Sequence, residues 1–301
     1  MSKRSIMHML TPMSHSSPFD INMAIDAGYD LAFTYDNVSL DRIADMTQDA
    51  IFSRGPSGVK KTGIFIGGRD IGLAMDMLEA AKKAMVPPFE VSVFADPSGA
   101  FTTAASLVAC VERELKNNFQ QNFEGKKAVV FGGTGAVGLA TAVITAELGA
   151  DTTIVDHFSI DAALGHANEA KRRFGVDLTA TTAASDADKA RLIMDADIIF
   201  CTVKAGIQVL NASVLADAKQ LKVAGDVNAV PPLGIEGIKL MDAGAPLVHA
   251  TNAQGAVGVG ALAVGDIKYH LQHALLQQTL DENGPVYLDF RSAFEGARKL
   301  A

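Results

Sequence analysis

Cysteine is scarce in this chain. Of 301 residues only Cys110 and Cys201 are cysteines, each within an apolar stretch, and no CxxC or CxxH spacing occurs. That excludes an ordinary structural zinc site and a disulfide framework, and it fits a reducing, cytoplasmic setting. The seven histidines show no metal spacing beyond His270 and His273, three apart, so no metal is expected. Basic charge is also short: 26 Lys+Arg stand against 34 Asp+Glu, for a net charge of -8, and the longest basic run is Lys171-Arg172-Arg173. Nucleic acid is held mainly by clustered cations, so it is not an expected partner. Charged residues make up 20% and hydrophobic ones 49%, a balance that supports a large core and opposes disorder. One uncharged apolar run, 128–146, approaches membrane-spanning length. It contains Gly132, Gly133, Gly135 and Gly138, and it reads as strand, turn and helix rather than as a span. No membrane partner is expected. The first residues carry no secretory pattern, because 6–10 is too short for an apolar leader core and includes His8.

The second half has the plainer pattern. Apolar runs predict strands at 127–131, 152–155, 176–180, 197–202, 222–227 and 246–250, with helices at 139–148, 160–174 and 186–194 between them. Strands alternating with helices imply an α/β fold with a doubly wound parallel sheet. The first half alternates too, with strands at 5–10, 31–34, 63–66 and 91–95 and helices at 21–27, 40–47, 71–84 and 102–118. The polar stretch 117–125 is the expected boundary. Two domains follow: 1–125, an α/β substrate domain onto which 263–301 packs back through a long helix at 261–278, and 126–262, a Rossmann domain.

The chemistry begins at Gly133-Thr134-Gly135-Ala136-Val137-Gly138, a GxGxxG turn. Alone the pattern is weak, but here it follows a strand and opens a helix, as the mechanism requires. Gly133 allows the tight turn, Gly135 lets a pyrophosphate approach, and Gly138 lets the helix pack on the strand. Asp156 ends the next strand, about 20 residues on, where an acid bonds ribose hydroxyls; with His157 beside it, the pattern favours NAD over NADP. The bland alternative is a strand–helix turn that binds nothing.

Several further segments resemble one family. They are His8-Met9-Leu10-Thr11-Pro12, Ser17-Pro18-Phe19-Asp20 and Thr62-Gly63-Ile64-Phe65-Ile66-Gly67-Gly68. Phe94-Ala95-Asp96-Pro97 with Phe101-Thr102-Thr103, Asp226-Val227-Asn228-Ala229-Val230-Pro231-Pro232, and Gly258-Val259-Gly260-Ala261-Leu262-Ala263-Val264-Gly265 with Lys268 complete the set. Spread over the whole chain, they resemble the methylene-tetrahydromethanopterin dehydrogenases of methylotrophic bacteria, the B-type that accepts NAD or NADP more than the NADP-only A-type. The resemblance implies a pterin-binding N-terminal domain, a Rossmann domain and an active site in the cleft between them. It also implies a cytoplasmic homo-oligomer serving formaldehyde oxidation in one-carbon metabolism. Asp156 departs from the small residue expected in enzymes of dual specificity.

In such a reaction a hydride leaves a methylene carbon between two nitrogens, so no proton acceptor is obligatory, and positioning and electrostatics dominate. Asp20, Asp96 and Lys268 are the candidate catalytic residues. Phe19, Asp20, Asp96, Thr102, Thr103 and Lys268 are the candidate pterin contacts. Asn228 joins the glycine turn, Asp156 and His157 as a cofactor residue. Each has a plainer reading. Asp20 would cap the helix at 21–27, Asp96-Pro97 would open a turn, Thr102 and Thr103 would cap a helix, Lys268 would be a solvated lysine, and Asn228 a turn residue. Two other functions compete: a methylene-tetrahydrofolate or other small-substrate dehydrogenase, and a non-catalytic NAD(P) sensor. The folate enzymes carry Tyr-x-x-x-Lys, and neither Tyr29 nor Tyr35 is followed by lysine at that spacing.

Overall fold

Apolar and β-branched runs form the strands. In chain order these are β1 (Ile6–Leu10), β2 (Leu31–Tyr35), β3 (Thr62–Ile66), β4 (Ser92–Ala95), β5 (Lys127–Phe131), β6 (Asp151–Asp156), β7 (Thr179–Thr182), β8 (Ile198–Cys201), β9 (Val223–Asp226), β10 (Ala243–Pro246), β11 (Val257–Val259) and β12 (Tyr287–Leu288). The structure is a computed structural model describing residues 3–280 and 283–301. Two compact units are present: Met1–Thr102 with Tyr269–Gly296, and Thr103–Lys268 with Ala297–Ala301.

The first unit holds a sheet ordered β12-β4-β3-β1-β2, with every pair parallel. β3 and β4 are buried along their whole length, as strands covered on both faces must be. The chain leaves β1 for β2 on one side and returns to β3 on the other, so the crevice of this sheet opens beyond the ends of β1 and β3. Residues Tyr269–Gly296 of the tail belong to this unit. Tyr29 and Thr279 share a buried hydroxyl–hydroxyl bond of 2.6 Å, and β12 adds to β4.

The second unit holds a sheet ordered β10-β11-β9-β8-β5-β6-β7. β5 leads to β6 and β7 on one side, then the chain crosses to β8 and β9 on the other. The topological switch point therefore lies between β5 and β8. The uncharged stretch resolves into β5, a glycine turn and the helix Ala136–Glu147, which is buried from Gly138 to Thr145. Burial on nearly all sides explains its lack of charge. Among the described residues no helix is long and apolar enough to cross a membrane.

Some expectations shift. The strand expected at 176–180 is β7, because Asp177 lies before it and pairs with Lys171 at 2.5 Å. The strand expected at 246–250 is β10, which ends at Pro246 and runs antiparallel to β11 with a register irregularity. The sheet is thus parallel except for this edge. Proline is tolerated at such an edge because it owes no ladder hydrogen bond there. β11, β12 and the helix Phe290–Leu300 were not expected.

Candidate active site

β5 delivers the chain into a turn with little spare room. A Cβ on Gly132 would lie 2.9 Å from the Thr202 backbone, one on Gly133 2.6 Å from Ile154 Cβ, and one on Gly138 2.1 Å from the Gly132 carbonyl oxygen. The fold itself needs these three glycines. Gly135 is different. Its φ of -79° and ψ of 163° suit any residue, and an added Cβ would meet only the Gly132 carbonyl oxygen, at 3.4 Å. No neighbour within the protein calls for a bare backbone there. Gly135 is also the N-cap of the helix Ala136–Glu147 and brings it no side-chain acceptor. The first-turn N–H groups and the positive end of the helix dipole then suit an anion. Backbone 133–138, with Thr134, Ala136 and Val137 between the glycines, fits a pyrophosphate. Thr202, at the end of β8, donates to the Phe131 carbonyl at 2.9 Å and pins this turn from below.

Asp156 stands at the end of β6. Its Oδ2 accepts from Thr134 Oγ1 at 2.7 Å, and its Oδ1 accepts from the N–H groups of Phe158 and Ser159, each at 2.8 Å. Partial burial pushes the carboxyl up, but these three bonds and the neighbouring His157 outweigh it and hold it below its ordinary value. His157 and Phe158 meet edge to face at 4.3 Å, and Phe158 is 89% exposed. Beside them opens a cavity of about 290 Å³, whose walls include Gly132, Val155, His157, Phe158, Val203 and Ile207. Its mainly apolar walls and aromatic rim suit a flat heterocycle.

Asn228 follows β9 and is buried. Its Oδ1 accepts from the N–H groups of Gly206 and Val230, and its Nδ2 donates to the Pro232 carbonyl. The side chain thus joins the loops after β8 and β9. Beneath it lies buried Asp226, which accepts from the N–H groups of Asn228 and Ile235. Burial raises the Asp226 carboxyl, against the pull of those bonds. Burial, and next the Asp226 charge, push the adjoining Cys201 thiol well above its usual range, so this cysteine is an inert core group.

In the first unit the helix Pro18–Asp26 starts earlier than expected, with Pro18 in its first turn and Ser17 as N-cap. Asp20 is therefore inside the helix and does not cap it. It is buried, and Gln272 Nε2 donates to its Oδ1 at 2.8 Å. Phe19 is 48% exposed. Asp96 is fully buried after β4, where its carboxylate accepts from the N–H groups of Phe101 and Thr102 and from Thr102 Oγ1, the last at 2.6 Å. Asp96 and Thr102 together fix the start of the helix Ala100–Phe119, and Thr103 follows, half-buried. Lys268 is half-buried on the helix Ala261–Gln278, one turn before Gln272. Gln272 and Thr202 carry no sequence signal, because their partners lie far away along the chain.

Fold and glycine turn together define a Rossmann-type α/β protein whose glycine turn opens a helix at the sheet's switch point. Solved structures agree on the fold: shikimate 5-dehydrogenase from Listeria monocytogenes matches 97% of this chain and 96% of its own at 14% identity, with a TM-score of 0.51. A family model described as methylene-tetrahydromethanopterin dehydrogenase, N-terminal, matches residues 18–98. An NAD(P)-dependent methylenetetrahydromethanopterin dehydrogenase of Methylorubrum extorquens is 47% identical over 298 residues, 99% of each chain. A second protein of that organism, described as bifunctional protein MdtA, is 32% identical over the full length of both. The chain belongs to the methylene-tetrahydromethanopterin dehydrogenase family.

Proposed function

We propose that the protein oxidises 5,10-methylene-tetrahydromethanopterin to its methenyl form with NAD or NADP, as a cytoplasmic homo-oligomer in formaldehyde oxidation. The observation that carries this reading is the 47% identity to an enzyme of that description over 99% of both chains, which spans both units. Bound at the β5/β8 switch point, the dinucleotide supplies the hydride acceptor. Everything else falls to the chain's own residues. Backbone 133–138 holds the phosphates, Asp156 the ribose, and the His157–Phe158 cavity the adenine. Asn228 and Asp226 keep the neighbouring loops in one shape, so the acceptor ring meets a preorganised surface.

On the pterin side Phe19 supplies an apolar face, and Asp20, steadied by Gln272, places a carboxylate where positive charge develops on the substrate. Asp96 acts as a positioning residue through Thr102, because it accepts three bonds at the helix start. Thr103 and Lys268 complete the pterin contacts. No side chain is asked to remove a proton, since the hydride departs with both electrons. The test is a paired assay of methylene-tetrahydromethanopterin and methylene-tetrahydrofolate, each with NAD and with NADP. Turnover of the methanopterin compound supports the reading. Turnover of the folate compound alone, or cofactor binding with no turnover of either, would overturn it.

A further inference from the structure

The x position of the GxG turn is occupied by a threonine whose hydroxyl points back to Asp156. We propose that Thr134 is a positioning residue for cofactor choice: it fixes the Asp156 carboxylate so that a ribose hydroxyl is accepted and a ribose 2′-phosphate refused, making the enzyme NAD-selective. This rests on the dinucleotide reading of the same site and sharpens it, because the relative is described only as NAD(P)-dependent.

A carboxylate offers about four acceptor positions on its two oxygens. Here three are filled: Thr134 takes one on Oδ2, and the N–H groups of Phe158 and Ser159 take two on Oδ1. One position on Oδ2 is left, enough for a single donor. A ribose hydroxyl supplies that donor. A 2′-phosphate carries about -1.5 to -2 charge near neutral pH and brings acceptors instead, so it meets a fixed negative charge. Relief would require either that Asp156 swing away or that a cation intervene. Bonds on both oxygens oppose the first. Against the second, Lys189, which also borders the cavity, is 12% exposed and already paired with Asp186 at 3.0 Å. Because Thr134 lies in the phosphate turn itself, the grip on the pyrophosphate and the choice of ribose are set by one short segment.

The experiment compares the wild-type enzyme with Thr134→Val, Thr134→Ser, Asp156→Ala and the Thr134→Val/Asp156→Ala double variant. Two readouts are taken for NAD and NADP: kcat/KM with methylene-tetrahydromethanopterin, and Kd by calorimetry. The wild type favours NAD. Thr134→Val lowers the NAD/NADP ratio on the order of tenfold, the usual weight of a hydrogen bond to a charged group. Thr134→Ser, which keeps the hydroxyl, restores the ratio to within about twofold. Asp156→Ala lowers it further, and adding Thr134→Val then changes nothing more, since the two act as one unit. A merely structural threonine would weaken both cofactors together and leave the ratio alone. That outcome, a wild type that prefers NADP, or additive effects in the double variant would each overturn the proposal. Absence of pterin turnover with normal NAD binding would strike the proposed activity instead, and the Kd ratios would still decide the role of Thr134.

Discussion

The glycine turn supports a sharp comparison between two neighbouring substitutions, Gly135→Val and Gly138→Ala. At Gly135 an added Cβ meets only one atom, at 3.4 Å, and the backbone is ordinary extended chain. Valine costs up to about 1 kcal/mol as a poorer N-cap and regains about 0.4–1 kcal/mol by restricting the unfolded chain. The net change in stability is therefore small, less than about 4 °C in Tm for units of this size. At Gly138 the Cβ would lie 2.1 Å from the Gly132 carbonyl oxygen, a backbone atom that cannot step aside cheaply. Overpacking of that kind costs about 1–3 kcal/mol or more, and the melting point should fall by several degrees more than for Gly135→Val. Cofactor binding should rank differently. Valine at 135 stands where the phosphates approach and forfeits two or three hydrogen bonds to a charged group, at about 1.5–3 kcal/mol each. The Kd for NAD should rise by about 100-fold or more. Thermal melts of the ligand-free protein and calorimetric titration with NAD measure both quantities. Normal NAD affinity in a folded Gly135→Val protein would refute the phosphate-loop assignment. A loss of stability as large as that of Gly138→Ala would refute the claim that no neighbour within the protein requires a bare backbone at Gly135.

Other predictions are quicker to check. Burial pushes the Cys110 thiol up to about 11 and Cys201 well above its usual range, so neither should react with a thiol reagent at neutral pH until the protein unfolds; fast labelling of the native protein would contradict this burial. Asp96→Ala removes the acceptor for three bonds at a buried helix start and should cost about 2–4 kcal/mol in denaturant unfolding, while an unchanged midpoint would mean that the helix does not depend on it. Gln272→Leu removes the Gln272 hydrogen bond to Asp20 and should raise KM for the pterin by roughly tenfold with NAD affinity unchanged. An equal loss for both ligands would show general damage instead.

Much of this architecture was legible because period and punctuation agree. β5, β6, β8 and β9 are short apolar runs bounded by turns, and the glycine turn sits between a strand and a helix where its chemistry needs it. The expected start of the first helix, at 21, lies three residues after its observed start at Pro18. Asp20 was consequently read as a possible cap rather than as a buried acid within the helix. β10 and β11 are built from glycine, alanine, proline and valine, and carry little strand signal of their own; pairing with each other and with β9 creates them. Partners far apart in sequence were the least visible. Gln272 reaches Asp20, and Thr202 reaches Phe131, only after the fold has brought them together. Asn228 was located correctly as a residue after a Rossmann strand, but its hydrogen bonds to Gly206, Val230 and Pro232 could not be read from its neighbours.

The central claim is that the methylene carbon gives up a hydride and no proton acceptor takes part. Methylene-tetrahydromethanopterin deuterated on that carbon tests it directly, with the reduced cofactor isolated after turnover in ordinary water. The account predicts deuterium at C4 of the dihydronicotinamide ring. Recovery of unlabelled reduced cofactor, with the deuterium released to solvent, would contradict it.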